Sequence, residues 1–251
     1  MPSHPIATSP APAPAPVIAI DGPAASGKST IGHAVAARLG YLYYDSGLLY
    51  RALTWLALRQ GVDLDDGDAL AALAARSPIS VRPPTHADGR HSTVEVDGED
   101  ITWDVRRPEV DANVSNVARH PAVRAALIDQ QRRGAADGRV VMVGRDIGTV
   151  VLPDAPLKVF LVASLEVRAR RRYDEMIARG QPADYTGILA DMRRRDEIDS
   201  LRTVAPLKAA DDAVTVDTTG MSIDEVIDHI VALAMGAATE PRPRPGEVRA
   251  E

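Results

Sequence analysis

The chain has 251 residues, 45% of them hydrophobic and only 4% aromatic, and carries a formal net charge of −6 with no cysteine. That length and apolar share support a sizeable core of Ala, Val, Leu and Ile, in one large domain or one domain with an insert, while the missing cysteines exclude disulfides and thiolate zinc sites. The charge argues against a nucleic-acid polymer as partner, which needs surplus cations, and with no apolar run of membrane-spanning length and no basic-then-apolar leader the expected home is cytoplasmic.

Residues 1–16 hold an Ala–Pro alternation from Ala11 to Pro16 and are predicted to be a disordered tail, because each proline fixes φ and removes a donor. Val17 to Ile20 then reads as a strand, and Thr30 to Leu39 suits a helix. Between them, Gly22-Pro23-Ala24-Ala25-Ser26-Gly27-Lys28-Ser29 matches G-x-x-x-x-G-K-[ST]. The glycines let successive backbone N–H groups aim at phosphate oxygens, and the helix that follows adds its positive dipole end. Lys28 is expected to reach the β- and γ-phosphates and the Ser29 hydroxyl to bind Mg²⁺. The loop specifies binding of a nucleoside triphosphate, not the use made of it. No Asn-Lys-x-Asp or Leu-Ser-Gly-Gly segment is present, which favours a small kinase over a GTPase or an ABC-type ATPase.

A second strand is predicted over Tyr41 to Tyr44, followed by Asp45 and Ser46 as caps of a helical pattern from Leu48 to Gln60 that Gly61 stops. Arg51 lies about one turn along it, near the carboxyl edge where open α/β sheets take ligands. Residues 62–103 break the rhythm with a helical stretch, Asp68 to Arg76, two short β runs, Ile79 to Arg82 and Thr93 to Val96, and turns at residues 83–89 and at Asp97-Gly98. This reads as a small, partly exposed β insert. Ser115 falls in a helical stretch after Pro108. Val140 to Val143 is a third core strand, and Arg145-Asp146 directly at its carboxyl end is a favoured active-site position.

Leu157 to Val162 gives the fourth core strand and Val214 to Val216 the fifth, and Ser222 with Glu225 forms a capping box. Mostly continuous apolar runs alternating with helices indicate an α/β fold with a parallel sheet buried on both faces. Residues 164–202 read as a mobile helical lid. Helical spacing puts Arg168 beside Arg171 and Arg172, where like charges repel unless an anion arrives. Arg168, Arg172 and Arg202 are the arginines expected to touch phosphate. Residues 237–251 are predicted to be a second disordered tail. His33, His86, His91, His120 and His229 show no metal spacing and read as surface or structural, and Trp55 and Trp103 read as packing residues.

Gly22 to Thr30, Asp45-Ser46-Gly47 with Tyr50-Arg51, Gly144-Arg145-Asp146 with Gly148-Thr149-Val150, and Arg202 with Pro206-Leu207 together resemble the bacterial cytidylate kinases, from about Val17 to Ala234. The resemblance implies the nucleoside-monophosphate-kinase fold of P-loop NTPases. That fold has a five-stranded parallel core sheet flanked by helices (17–61, 104–163 and 203–236), an acceptor-binding insert at about 62–103 and a lid at about 164–202. It implies that Ser115, Arg124 and Asp146 hydrogen-bond the cytosine edge, that Ser46, Arg51 and Arg145 hold the α-phosphate of CMP, that Asp199 with Arg195 contacts the ribose, and that Arg202 bridges the two phosphate chains. Asp45 is placed with the CMP set and Arg172 with the catalytic set.

The chemistry agrees. A carboxylate suits the exocyclic amino group of cytosine and an arginine its acceptors, whereas uracil would set a carbonyl against Asp146. The expected reaction is transfer of the γ-phosphoryl group of Mg·ATP to CMP or dCMP by a monomer. Lys28, Arg51, Arg145, Arg172 and Arg202 would act through alignment and charge neutralisation. A shikimate- or adenylate-type kinase, or a nucleotide switch without an acceptor, is the alternative.

Overall fold

A computed structural model describes residues 15–237 of the chain. The predicted tails lie outside the described residues except at their inner edges, and there the expectation is corrected. Ala15 is fully buried and its N–H donates to Ala234 O at 2.9 Å, while Pro16 O accepts from Val140 N at 3.2 Å. Backbone pairing, which residue-type patterns do not reveal, carries the fold two residues into the Ala–Pro run.

The first half of the core runs β1 (Val17–Asp21), α1 (Lys28–Leu39), β2 (Leu42–Asp45) and α2 (Gly47–Gln60). Then come α3 (Gly67–Arg76), β3 (Ile79–Arg82), β4 (Thr93–Val96), β5 (Glu99–Asp100), α4 (Pro108–Ala118) and α5 (Pro121–Arg133). The chain returns through β6 (Val140–Gly144), a π-helical turn at Ile147–Val151, β7 (Leu157–Val162), α6 (Leu165–Ala178), α7 (Tyr185–Leu201), β8 (Val214–Asp217) and α8 (Ile223–Ala237). Among the described residues no helix is long and apolar enough to cross a membrane.

The core sheet is five-stranded and wholly parallel, in the order β2-β6-β1-β7-β8. It is the predicted sheet, with most strands one residue longer than the apolar runs. Helices α1 and α8 cover one face through Ile31, Val35, Val226 and Ile230, packed on Ile18, Ile20, Val141 and Leu161. Such side chains are worth roughly 1.5–3 kcal/mol each when fully buried. The capping box closes as expected, with Ser222 N donating to Glu225 Oε2 at 2.8 Å and Glu225 N to Ser222 Oγ at 3.3 Å.

The insert is an antiparallel sheet, β3-β4-β5, pairing Ile79 with Val96 and Val81 with Val94. Its third strand has two residues, too short for any alternation to announce it. Arg90, its side chain only 6% exposed, braces the loop by ion pairs to Asp88 and Asp100 at 2.7 and 2.5 Å. The packing does not stop at residue 103. Leu70, Leu73 and Val94 share one core with Leu49 and Leu53 of α2, Val110 and Val117 of α4, and Leu127 of α5. The insert is therefore the tip of a larger unit that includes α4 and α5. Trp55 packs in that unit, but Trp103 is 48% exposed and its indole N–H donates to Asp88 Oδ2 at 3.0 Å, which corrects the expectation of a packing role. The His33 and His91 rings stack at 3.9 Å, joining α1 to the insert.

The loop between β1 and α1 is held in an unusual backbone shape. Gly22 (φ 151°), Ala25 (φ 54°) and Gly27 (φ 92°) all have positive φ, and a Cβ on Gly22 would sit 2.2 Å from Leu161 O of the neighbouring strand. Gly22→Ala is therefore expected to lose measurable ATP binding by calorimetry. Strain of about 1–3 kcal/mol lowers the melting temperature by roughly 2–10 °C.

Candidate active site

Lys28 opens α1 directly after Gly27, so the end of β1 and the start of α1 fix its backbone. Its ammonium is buried and donates to Pro23 O at 2.6 Å and Ser26 Oγ at 3.3 Å. Burial, reinforced by the Arg145 guanidinium, pushes its pKa well below the ordinary lysine value, against the opposing pull of Asp45, Asp21 and Asp199. A phosphate chain would reverse that balance.

Asp21 ends β1 and accepts from Ile147 N at 2.8 Å and Gly148 N at 2.7 Å, tying the phosphate loop to the turn that carries Arg145 and Asp146. Burial raises its carboxyl to about 6 despite those two bonds. The sequence reading passes over Asp21, although a carboxylate ending an apolar run was a visible signal.

Asp45 is a junction. Its Oδ1 accepts from Gly47 N at 3.0 Å and so caps α2, while Oδ2 accepts from Ser29 Oγ at 3.2 Å and Tyr43 OH at 3.4 Å. Ser46 makes no cap; its hydroxyl donates to Val143 O at 3.0 Å. The carboxylate sits beside the P-loop serine, and both residues line the cleft. Two hard oxygens so placed fit a divalent cation that takes its other ligands from water and phosphate.

The acceptor side is a chain of buried charges. Arg124 pairs with Asp146, their side chains 8% and 5% exposed, and Arg124 lies over the Tyr50 ring at 5.4 Å. Arg145 Nε meets Asp199 Oδ2 at 3.1 Å. The Arg202 side chain is 3% exposed, its Nη2 is 3.7 Å from Asp146 Oδ1 and its Nη1 3.7 Å from Asp199 Oδ1. Burial, with Arg124 close by, lowers its pKa. Arg202 Nη2 and Arg195 Nε are buried donors with no hydrogen-bond partner among the described residues, which is costly unless a ligand supplies an acceptor.

One cleft of about 1010 Å³ gathers Ala24, Ala25, Gly27, Lys28, Ser29, Thr30, Asp45, Ser46, Arg51, Ser115, Arg124, Arg145, Asp146, Arg172, Arg195, Asp199 and Arg202. Gly22, Pro23 and Ser26 shape its loop without lining it. Arg168 does not line it either: its guanidinium donates to Ala163 O and Ala24 O at 3.0 and 3.1 Å and pairs with Asp196 at 2.7 Å, bracing the lid against the back of the loop. Arg171 lines the cleft instead, bonded to Thr218 Oγ1 and O at 3.0 and 2.7 Å.

Arg106 and Asp111 also line the cleft, outside every motif of the sequence. Arg106 has no ion pair or side-chain hydrogen bond among the described residues and lies over Trp103 at 5.7 Å. Asp111 takes Arg51 at 2.6 Å, Arg195 at 3.1 Å and Arg172 at 3.4 Å. An acid in the first turn of a helix ordinarily complements the helix dipole, so sequence position alone gave no reason to look at it. In total, Lys28 and ten arginines line the cleft against six carboxylates, in a chain whose net charge is −6. Such a cavity concentrates polyanions.

A family model for cytidylate kinase matches residues 18–235. A cytidylate kinase of Herpetosiphon aurantiacus is 54% identical over 216 residues, covering 86% of this chain and 93% of that protein. One of Roseiflexus castenholzii is 51% identical, covering 86% and 92%, and one of a Geobacillus species is 51% identical, covering 86% and 95%.

Proposed function

The chain belongs to the cytidylate kinase family, and from that premise we propose how its residues transfer the γ-phosphoryl group of ATP to CMP, and also to dCMP, giving CDP or dCDP and ADP. The observation that carries the reading is the eleven cations that line one cleft among the described residues, two of them with buried donors that have no hydrogen-bond partner there.

The loop N–H groups cradle the ATP phosphates, and Lys28 turns from Pro23 O toward the β- and γ-oxygens. Mg²⁺ brought with ATP would be held by the Ser29 hydroxyl with Asp45 beside it, and would neutralise charge on the β- and γ-phosphates. Ser46, Arg51 and Arg145 hold the α-phosphate of CMP. An oxygen of that phosphate attacks the γ-phosphorus, the bond from the γ-phosphorus to the β–γ bridging oxygen breaks, and ADP leaves with the electron pair. The nucleophile is already an anion, so no strong general base is needed. The work is alignment of two mutually repelling chains, with Arg172 and Arg202 countering the charge where they meet.

Arg124 and Asp146, with Ser115, read the cytosine edge, and Asp199 with Arg195 meets the ribose. The helices α6 and α7 close over ATP and exclude the water that would compete as acceptor. The proposal has the enzyme acting as a cytoplasmic monomer, without membrane or nucleic-acid partners.

A coupled ADP-release assay with CMP, dCMP, UMP, AMP and shikimate tests this. CMP and dCMP are expected to turn over, and UMP to have a kcat/KM roughly 10–100-fold lower, from one acceptor-facing-acceptor mismatch. Faster turnover of AMP or shikimate would overturn the assignment of Arg124 and Asp146.

A further inference from the structure

Three arginines from three helices meet on one carboxylate. Asp111, in the first turn of α4, takes Arg51 Nη2 of α2 on Oδ1 at 2.6 Å. The same oxygen lies 3.1 Å from Arg195 Nη1 of α7, and Oδ2 accepts from Arg172 Nη2 of α6 at 3.4 Å. The Asp111 side chain is 23% exposed to the cleft that it lines with Ser115, one turn further along α4. Burial raises its carboxyl, but Arg195, Arg51 and Arg172 outweigh that and leave it well below the usual carboxylate range, so it is ionised at neutral pH.

Two of these arginines have a second tie that limits how far they can wander. Arg51 Nη1 donates to Val105 O at 3.1 Å, and Arg172 Nη1 to Glu175 Oε2 at 3.0 Å. The Arg195 Nε is buried with no hydrogen-bond partner among the described residues. Three guanidiniums held this close repel one another, and one carboxylate neutralises only part of that charge. A phosphate offers the same forked oxygens with more charge and more acceptor sites. Among the described residues, Asp111 is the group whose ion pairs join the acceptor side (α2, α4) to both lid helices.

We propose that Asp111 is a positioning residue, an internal counter-ion that holds Arg51, Arg172 and Arg195 together across the cleft and that a substrate phosphate displaces from them. The inference rests on the reading of Arg51 and Arg172 as phosphate ligands, with Arg195 beside them at the ribose. It makes Asp111 a competitor of substrate. Its charge lowers the affinity of the cleft for anions, keeps stray inorganic anions from settling there, and couples arrival of the phosphate to release of α6 and α7 from α4. A merely structural ion pair, or a carboxylate that itself touches substrate, makes the opposite prediction on removal, namely weaker binding.

The test compares wild type with Asp111→Asn, which keeps the shape and removes the charge, and with Asp111→Glu, which keeps the charge. Calorimetric titrations at low ionic strength would use inorganic sulfate and, separately, CMP. Asp111→Asn is expected to bind both about 2–5-fold more tightly, the scale of one partly exposed charge pair, with the KM for CMP falling and kcat not rising. Its melting temperature should drop in low-salt buffer and be restored by sulfate beyond what chloride of equal ionic strength achieves. Asp111→Glu should stay close to wild type.

Unchanged or weaker sulfate binding by Asp111→Asn overturns the proposal, as does a variant that cannot be recovered even in sulfate, because an external anion must be able to replace the lost charge. The functional reading fails separately, if wild type makes no CDP from CMP. Sulfate affinity and CMP turnover thus distinguish the two.

Discussion

Replacing Arg202 with alanine is expected to lower kcat by about 10³-fold or more while moving the ATP KM far less, the loss typical of an arginine that acts on the transferring phosphoryl group. The environment of this side chain motivates the size. It is 3% exposed, and both of its carboxylate neighbours, Asp146 and Asp199, stand off at 3.7 Å. Its Nε is committed to Ala205 O, whereas the buried Nη2 has no hydrogen-bond partner among the described residues. A guanidinium held in that state gains most when negative charge develops beside it, and an interaction that strengthens in the transition state appears in kcat. Arg202→Lys keeps the charge but loses the planar fork, and should recover only part of the rate. Steady-state kinetics of both variants, with a thermal melt to show that the fold survives, provide the check. Turnover of Arg202→Ala within a few-fold of wild type would remove Arg202 from the mechanism.

Asp146→Asn is expected to remove most of the preference for CMP over UMP. Asp146 is 5% exposed and its carboxylate is paired with Arg124. As a carboxylate it only accepts, which suits the amino group of cytosine and opposes the carbonyl of uracil. An amide can donate as well, so the opposition to uracil is relieved. The kcat/KM for CMP should fall about 10²-fold, the scale of about 2–3 kcal/mol for a charge-assisted bond, while that for UMP falls less. The cost to stability is separate. Removing one partner of a buried pair costs about 3–5 kcal/mol when the other charge is left uncompensated, and among the described residues Asp146 is the carboxylate that pairs with Arg124. Competition assays with both nucleotides, alongside calorimetric unfolding, separate the effects. An unaltered CMP-to-UMP ratio would show that Asp146 does not select the base.

Much of the molecule was legible one segment at a time. The phosphate loop, the mostly apolar strands, the Gly61 stop of α2 and the Ser222–Glu225 box all rest on interactions spanning only a few residues. The acceptor-side motifs announced themselves because Arg51, Arg145 and Asp146 follow strand ends, where a parallel sheet presents ligands. Helical spacing likewise found the lid arginines, but it gives only the angle around an axis and not what lies opposite. Arg168 and Arg171 are neighbours on α6, yet one braces Ala24 O and the other Thr218.

The residue pattern by itself determined the α/β class, the loop that takes a triphosphate and the pool of cations, because each depends on local backbone preference or on residue type. Only the tertiary structure decided how they are used. It made α4 and α5 part of the insert's core, drew Ala15 and Pro16 into the fold, and turned Arg168 away from the cleft. It also brought Arg51, Arg172 and Arg195, which are distant in the chain, onto Asp111. The physical reason is that long-range charge pairing depends on which helices pack together, and packing is settled by the whole buried surface rather than by any one segment's sequence.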